Sequence, residues 1–383
     1  MAFEQTVSVR ANRVAVSVFF FIAGLSFASW ASRIPDVKAK LHLNEGTLGT
    51  VLLALPAGLM ASLPVSGYLV NRFGSKRVVT IGALAYPFIL IFLGLVNATW
   101  QLAGVLFLYG LLCNLLNISV NTQAVGVEVR YGRSIMASFH GVWSLAGFTG
   151  AAIGTLFISL GVPPFYHFCI VCAGIFITVF IVQRYALEKD IGGETKQPGF
   201  ALPDSAILKL GIIAFGSMVS EGTMFDWSGV YFQKVVQPPK ELVSAGFVCF
   251  MGMMATGRFA GDFLITKFGV KRMLQMSGIV ISTGLLTAVI FPYLYTALVG
   301  FMLVGFGVSS VVPMVYGLAG KSKNMSPGVA LAAVSSIGFI GFLLGPPVIG
   351  FVAQAVSLRL SFTIIAVLGL GTTFMSSAVK IDF

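Results

Sequence analysis

Long apolar runs constrain this chain more than any other feature of its sequence. Runs of about 20 residues recur from one end to the other, and each is long enough to cross roughly 30 Å of hydrocarbon as a helix. Only 10% of the residues are charged. Soluble domains carry about 25% charged residues, so a water-soluble core is excluded. We therefore expect a polytopic membrane protein.

Clusters of charge, Gly and Pro divide the apolar sequence into twelve predicted transmembrane helices, and no soluble domain is present. Because the number of spans is even, both termini are expected on the same side of the membrane. The first run lacks a small-residue cleavage site, so we interpret it as a retained helix rather than a signal peptide. The predicted spans are residues 13–35, 46–70, 77–97, 101–125, 136–161, 165–184, 206–232, 242–266, 271–292, 295–319, 327–355 and 358–379.

The net charge of +11 reports topology rather than a nucleic-acid partner. If the N-terminus is cytoplasmic, the inside segments hold 17 of the 24 Lys and Arg residues and the outside segments hold 6. Such an excess is the positive-inside pattern of membrane proteins. It predicts a multi-pass protein of the bacterial inner (plasma) membrane with both termini cytoplasmic.

A polar stretch and an internal repeat divide the chain into two parts. Residues 185–205 follow six spans and are interpreted as a flexible cytoplasmic linker between halves at 1–184 and 206–383. The sequence Arg-Phe-Gly-Ser-Lys-Arg at 72–77 matches Lys-Phe-Gly-Val-Lys-Arg at 267–272, an offset of 195 residues. We predict an all-α membrane protein of twelve transmembrane helices in two pseudo-symmetric six-helix halves.

The first copy of this repeat resembles a known family signature. The sequence from Gly67 to Arg77 reads Gly-Tyr-Leu-Val-Asn-Arg-Phe-Gly-Ser-Lys-Arg and is similar to the loop 2–3 motif of the major facilitator superfamily. The resemblance implies a cytoplasmic gate formed by Asn71, Arg72 and Arg77. Asn71 stands where the family has an Asp that helps lock this gate. The Gly-Pro pair at Gly345-Pro346 resembles the family's helix-bending motif, whose best-known form lies in span 5 of antiporters.

Two narrower resemblances concern spans 5, 7 and 8. Gly257-Arg258-Phe259 and Trp227-Ser228 are similar to the branch that contains fucose–proton symporters. Phe139-His140-Gly141, together with Glu221-Gly222, resembles an uncharacterised bacterial inner-membrane subgroup. Neither resemblance implies a particular substrate.

Glu221 is the first candidate for a functional side chain. The family resemblance implies that spans 1, 4, 7 and 10 line a central cavity, and Glu221 lies about 21 Å into span 7 at 1.5 Å per residue. An acid at this depth is a functional hypothesis by default, because charge in hydrocarbon is costly. We interpret Glu221 as a proton-coupling residue. The alternatives are a structural carboxylate paired with Arg33 or Arg258, and substrate binding without proton transfer.

Asp226 is the second carboxylate of span 7 and a further proton-coupling candidate. It is turned about 140° from Glu221 on an ideal helix, so both can face the cavity only if Gly222 breaks the helix. An Arg33–Asp226 pair would close an outer gate. The alternative is that both are ordinary interfacial residues in water.

Three asparagines share one face of span 4. Asn114, Asn117 and Asn121 are spaced i, i+3, i+7, so one stripe of the helix is polar. Amides both donate and accept hydrogen bonds and would suit a hydroxyl-rich or zwitterionic substrate. The alternative, weighed equally, is interhelical hydrogen bonding between packed spans.

Further substrate-binding candidates are Ser29 and Trp30 in span 1 and Tyr316 in span 10. Aromatic rings beside hydroxyls and amides would suit a sugar-like ligand, although aromatics are common here at 13%. Trp30, Trp100 and Trp227 lie near predicted outer ends, where interfacial anchoring is the expected use of Trp.

Arg258, Asp262 and His140 are the remaining gate candidates. Arg258 and Asp262 are spaced i, i+4 on span 8, which predicts a local ion pair at the inside gate. Arg258 reaching Glu221 instead would make it a competitor for the proton. His140 lies near the inner end of span 5 and is interpreted as a packing residue or a proton relay.

The sequence contains no nucleotide-binding loop, metal-ligand cluster or nucleophilic triad, so we predict no enzyme activity, no cofactor and no metal site. We expect a monomeric secondary transporter in a lipid bilayer, working by alternating access with its site between the halves. Proton-coupled symport of a small polar solute is the preferred hypothesis. The alternatives are proton-driven efflux of drugs or metabolites and a non-transporting receptor.

Overall fold

The computed structural model describes residues 8–132, 135–190, 204–322, 325 and 327–378. These ranges contain no strand, and twelve of their helical segments are long and apolar enough to cross a membrane. The predicted all-α fold with twelve spans is confirmed. Most of the predicted linker, residues 191–203, lies outside the described residues.

Most of the α-helices follow one another with short connections, except between α7 and α8 and between α8 and α9. Spans 2 and 10 each contain two of them, α2 with α3 and α11 with α12. The helices are α1 (Val9–Lys40), α2 (Glu45–Leu52), α3 (Ala54–Phe73), α4 (Ser75–Leu95), α5 (Thr99–Tyr131), α6 (Met136–Ser159), α7 (Pro164–Val182), α8 (Ser205–Tyr231), α9 (Ala245–Phe268), α10 (Val270–Ile290), α11 (Leu294–Val308), α12 (Val311–Ala319), α13 (Pro327–Ala355) and α14 (Leu358–Ala378).

Spans 1 and 4 are longer than their apolar runs. The sequence predicts residues 13–35 and 101–125, whereas α1 has 32 residues and α5 has 33. Hydropathy reports where a helix enters the lipid, not where its hydrogen bonds end. α5 continues until Gly132, which adopts a left-handed φ of 72° and caps the helix through its N–H to the carbonyl of Glu128.

Span 10 is interrupted at Ser309 and Ser310. Pro313 has no N–H to donate to the carbonyl one turn before it, which weakens the helix at this point. The Ser309 hydroxyl donates to the carbonyl of Phe306 at 2.7 Å, which satisfies an acceptor at the end of α11. The span therefore consists of two helices, α11 and α12, joined by two residues.

The chain forms two compact units. The first comprises residues 1–30, 54–150 and 161–194, and within it α5 packs against α3 and α4. The second comprises residues 31–53, 151–160 and 195–383, and within it α8 packs against α13 and α14. These units differ from the halves expected from the sequence, because residues 31–53 and 151–160 group with later ones. α2, for example, packs directly against α13.

The internal repeat is visible in the backbone. Gly74 follows α3 with a φ of 80°, and Gly269 follows α9 with a φ of 77°. Side chains other than hydrogen are strained at such angles. The same turn residue therefore occupies the same position in both copies of the repeat.

The repeat also extends to helix packing. A Cβ on Gly110 of α5 would lie 2.0 Å from the carbonyl oxygen of Leu55 in α3. A Cβ on Gly305 of α11 would lie 2.2 Å from the carbonyl oxygen of Phe250 in α9. Both members of the second pair are 195 residues after those of the first. Each unit thus contains the same glycine contact between equivalent helices.

Candidate functional site

Span 7 is the centre of the second unit. α8 is the most buried of the twelve spans, and its small residues allow neighbouring helices to approach. A Cβ on Gly216 would lie 2.8 Å from the hydroxyl of Thr372 in α14. A Cβ on Gly222 would lie 2.9 Å from the ring of Phe342 in α13. These close contacts surround Glu221 with protein.

Glu221 forms an ion pair with Arg258 of α9. The Arg258 Nη2 atom donates to Glu221 Oε1 at 3.3 Å, and the two side chains are 17% and 9% exposed. Both groups lie within apolar spans, where an isolated charge is costly and a partner is expected. The pair places a proton-accepting carboxylate and a permanent cation in contact at the centre of this unit.

The predicted pair between Arg258 and Asp262 is wrong. Asp262 is exposed, and its side chain forms no hydrogen bond or ion pair within the described ranges. An exposed i, i+4 pair contributes little, whereas a buried carboxylate without a cation is strongly unfavourable. Arg258 therefore pairs with Glu221, as in the competing arrangement considered from the sequence.

Tyr316 extends this polar group from the second helix of span 10. It lies in α12, close enough to Glu221 for the two groups to interact electrostatically, with the hydroxyl of Ser335 in α13 nearby. The break in span 10 lies beside Arg258, because Ser309 packs against Gly257, the residue before Arg258. Glu221, Arg258 and Tyr316 are thus the sequence candidates that the fold brings together.

Asp226 does not join this group. α8 is continuous from Ser205 to Tyr231, so Gly222 does not break the helix and the two carboxylates keep their different directions. The Asp226 side chain forms no hydrogen bond or ion pair with described residues. It remains a separate proton-coupling candidate nearer the C-terminal end of α8.

The predicted Arg33–Asp226 pair is not formed. The Arg33 Nη1 atom donates to Asp36 Oδ2 at 2.7 Å, one turn along the same helix. This pairing is possible because α1 stays helical through Pro35 to Lys40. A partner at i+3 needs no alignment of two separate helices, so it is the easier one to reach.

The asparagine stripe of α5 divides into two parts. Asn114 is buried and its Nδ2 atom donates to the Ser66 hydroxyl of α3 at 3.4 Å. Asn117 is exposed, and Asn121 donates to its side-chain oxygen at 2.9 Å. Asn114 therefore acts between helices, whereas the amides of Asn117 and Asn121 are accessible to a ligand.

The span 1 candidates are buried within the first unit. The Ser29 hydroxyl donates to the carbonyl of Leu25 at 2.8 Å. Trp30 is 1% exposed and Trp227 of span 7 is 0% exposed, so their interpretation as interfacial anchors is wrong. Trp100 is 74% exposed and fits that role. The apolar packing around both buried rings outweighs the preference of Trp for the interface.

His140 is exposed near the start of α6. Its ring packs edge-on against Phe20 of α1 at a centroid distance of 5.3 Å. No group of three or more His, Cys, Asp or Glu side chains comes together as a metal site in the described parts of the chain. His140 is thus an aromatic packing partner in this conformation.

The gate motif between spans 2 and 3 makes few contacts of its own. Arg72 donates to the Tyr68 hydroxyl, and its guanidinium lies over the rings of Tyr68 and Phe73. Asn71 and Arg77 are exposed and form no hydrogen bond or ion pair with the described residues. The missing Asp at position 71 is therefore not replaced by a neighbour on the same loop.

The carboxylate of Asp190 places a negative charge beside this motif instead. The backbone N–H of Ser75 donates to Asp190 Oδ2 at 2.9 Å, and the Ser75 hydroxyl donates to Oδ1. Ser75 is the first residue of α4, where an anion is favoured by the helix dipole. Lys76 pairs with Glu188 in the same way. The sequence interpretation missed this contact because residues 185–190 were assigned to the flexible linker.

The side chain of Gln123 in α5 binds the segment of residues 185–190 through two hydrogen bonds to Leu187. Its Oε1 atom accepts the N–H of Leu187 at 2.8 Å, and its Nε2 atom donates to the carbonyl of Leu187 at 3.1 Å. The first residues of the predicted linker are therefore bound to α4 and α5 within the first unit.

Removal of the Gln123 amide is expected to release this segment. In Gln123→Ala, the Leu187 N–H loses its acceptor, so its hydrogen exchange should accelerate at least about tenfold, which corresponds to loss of one hydrogen bond. Exchange measured by mass spectrometry on the purified protein tests this. Thr122→Ala, at the preceding position, removes only the hydrogen bond from the Thr122 hydroxyl to the carbonyl of Ile118 within α5 and serves as the control. Equal exchange in the two variants would contradict the docking.

The described residues thus form twelve apolar helices, two of which, α8 and α9, are joined by the ion pair between Glu221 and Arg258. The family model for the Major Facilitator Superfamily matches residues 15–327, and the chain belongs to this family. It is a transporter and not an enzyme.

The chain is similar over nearly its full length to curated relatives. It is 31% identical over 368 residues to an uncharacterized MFS-type transporter of Yersinia pestis, covering 96% of both chains. It is 32% identical over 359 residues to the membrane protein MosC of Rhizobium meliloti, covering 93% of this chain and 87% of that one. The solved nucleoside transporter NupG has the same fold, with a TM-score of 0.76, 12% identity and coverage of 96% and 98%.

Proposed function

We propose that this transporter is a proton-coupled symporter that moves a small polar solute across the bacterial inner membrane by alternating access. The observation that carries the proposal is the contact between Glu221 and Arg258 in apolar spans. A carboxylate there can bind and release a proton, while the guanidinium stays charged. The basic inner segments support cytoplasmic termini.

Protonation changes the interaction between two helices. When Glu221 is charged, it attracts Arg258 and holds α8 and α9 together at this point. When Glu221 takes up a proton, the attraction is lost and the arrangement of the two helices is less constrained. A proton therefore shifts the balance between conformations, because it binds them with different affinity.

The solute would be bound by polar groups that remain accessible within each unit. Asn117 and Asn121 present amides in the first unit, and Tyr316 presents a hydroxyl near Glu221 in the second. We keep Arg33, Arg72, Arg77 and His140 as gate residues of the proposed cycle. The working unit is a monomer.

Replacement of Glu221 by glutamine is expected to uncouple transport. Wild-type protein in liposomes with a trapped pH dye is first screened with sugars, nucleosides and organic acids for a solute that acidifies the lumen on entry. With that solute, Glu221→Gln should acidify the lumen at least about tenfold more slowly, because the amide carries no exchangeable carboxyl proton, and should still exchange solute across the membrane.

The matched control is Glu241→Gln, which alters an exposed carboxylate before α9 and should acidify the lumen as the wild type does. Wild-type acidification in Glu221→Gln would show that the proton binds elsewhere, with Asp226→Asn the next variant. Lumen alkalinisation during solute entry would show antiport, as in proton-driven efflux.

A further inference from the structure

We propose that Arg258 binds the carboxylate of an organic anion, which takes the place of Glu221 when Glu221 is protonated. This inference rests on the proposed function, since it assigns a substrate class to the same site. The solute and the proton would then enter the site together and would neutralise each other there.

The geometry of the ion pair allows such an exchange. The contact between Arg258 and Glu221 is 3.3 Å, whereas charge-assisted bonds are usually about 2.7–2.9 Å. The guanidinium is a planar fork whose donors match the two oxygens of a carboxylate. The Arg258 side chain also keeps 17% of its surface exposed, so an incoming anion can approach it. Glu221 is therefore a replaceable partner for this cation.

Charge balance selects an anion over a neutral solute. Arginine does not lose its proton in proteins, so protonation of Glu221 removes the negative charge that contacts this buried cation. Loss of a buried counter-charge is unfavourable, and a carboxylate from the solute restores it. A sugar or other neutral ligand offers only dipoles. The protonated site therefore favours an anionic ligand.

Among the described residues of this unit, Arg258 is the cation that contacts Glu221. Helices α12 and α13 carry no Lys or Arg among their residues. The other described cations near α8 lie at helix ends or are held by carbonyl or carboxylate groups. They include Lys209, which donates to the carbonyl of Ala378, Lys267 in the last turn of α9, Arg359, which donates to the carbonyl of Val289, Lys234, which lies 4.0 Å from Glu45, and Arg33, which pairs with Asp36.

The other titratable side chains near the pair do not neutralise it. Tyr316 faces it from α12, and Asp262 lies one turn from Arg258 but is exposed. Asp226 lies on the other side of α8. Other described titratable groups on helices that contact α8 are Cys249 on α9, Tyr231 on α8, Tyr295 on α11 and Asp36 on α1, which pairs with Arg33.

Aromatic rings beside Glu221 indicate the shape of the ligand body. Phe342 packs against Gly222, the residue that follows Glu221. Phe225, one turn farther, is parallel to Phe342 at 6.5 Å and an interplanar angle of 4°. Phe225 is 5% exposed, whereas Phe342 is half-buried and offers a ring on which a flat apolar body would stack. The expected ligand is a small carboxylate with a planar or apolar body.

The test uses benzoate, sorbate and adipate, each compared with its neutral amide, on purified full-length protein. Calorimetry between about pH 6 and 8.5, where these acids are ionised, measures affinity, and a weakly buffered dye measures proton uptake. At least one carboxylate should bind at least about tenfold more tightly than its amide. Its affinity should fall by up to about tenfold per pH unit, with about one proton taken up, because the two binding events are reciprocally linked.

Three variants assign these effects to the pair. Glu221→Gln resembles the protonated state and should bind the carboxylate at every pH without proton uptake. The double variant Glu221→Gln with Arg258→Gln leaves a neutral amide pair that can fold, and it should lose carboxylate binding at least about tenfold. Arg359→Gln removes another arginine of this unit, one that donates to a carbonyl group, and should bind as the wild type does.

The outcomes separate this inference from the proposed function. If no carboxylate binds better than its amide, or if the double variant binds carboxylates normally, the carboxylate assignment is overturned. Proton coupling through Glu221 would survive such a result if Glu221→Gln still uncouples a neutral solute. If Glu221→Gln takes up a proton with the carboxylate, the proton site itself is wrong and both proposals fail.

Discussion

Replacing Gly305 with alanine should lower the thermal unfolding midpoint of the purified protein more than any surface substitution. The added Cβ would lie 2.2 Å from the carbonyl oxygen of Phe250, far inside van der Waals contact. Because the opposing atom belongs to the backbone, no rotamer change can relieve the clash, and α9 and α11 must separate. Overpacking of this kind costs about 3 kcal/mol.

The internal repeat places an equivalent glycine contact in the first unit, which gives a second test, and glycines elsewhere provide controls. Gly110→Ala should destabilise the first unit similarly, because its Cβ would lie 2.0 Å from the carbonyl oxygen of Leu55. Gly317→Ala in span 10 and Gly104→Ala in span 4 add a methyl group where no atom lies within 4 Å. Equal melting of the Gly305 and Gly317 variants would contradict the close packing of these helices.

Replacing Arg258 with glutamine should destabilise the protein by about 3–5 kcal/mol, because Glu221 is left buried without its cation. The Glu221 side chain is only 9% exposed, so water cannot take over the role of the guanidinium. The loss is expected as a lower unfolding midpoint in detergent and as a smaller folded fraction during purification.

The control for this prediction is rescue by the second substitution. Adding Glu221→Gln to Arg258→Gln removes the orphaned charge and should recover most of the lost stability, which a double-mutant cycle measures as a coupling energy. Asp262→Asn, which alters the exposed acid one turn from Arg258, should have little effect. Additive losses at 221 and 258 would show that the pair does not stabilise the fold.

The number and type of the spans could be predicted from the sequence because a lipid bilayer restricts the structures that can cross it. An apolar run of sufficient length must be helical in lipid, so twelve runs predicted twelve spans. The offset of 195 residues was also readable from two six-residue segments, and the Gly110 and Gly305 contacts follow the same offset. Helix ends and the break at Ser309 depend on backbone hydrogen bonds, which hydropathy does not record.

The candidate site was only partly accessible. Glu221 was identified because an acid in an apolar run is conspicuous, but its partner was assigned to Arg258 only as an alternative. Sequence spacing shows neighbours on one helix, such as Asp262, and cannot show which helices pack together. Asp190 was missed for the same reason, since it contacts Ser75 across 115 residues from a stretch whose composition resembles a linker.

The two residues that join α11 and α12 divide span 10 into two helices with different packing partners. α11 is locked to α9 by the backbone contact at Gly305, while α12 packs against α8 and α13. Bending is therefore concentrated at Ser309 and Ser310, where few backbone hydrogen bonds resist it. We therefore expect bending at this joint to move Tyr316 relative to Glu221 while α11 stays packed against α9. A helix that bends within its apolar length can change the distance between two side chains without moving as a whole.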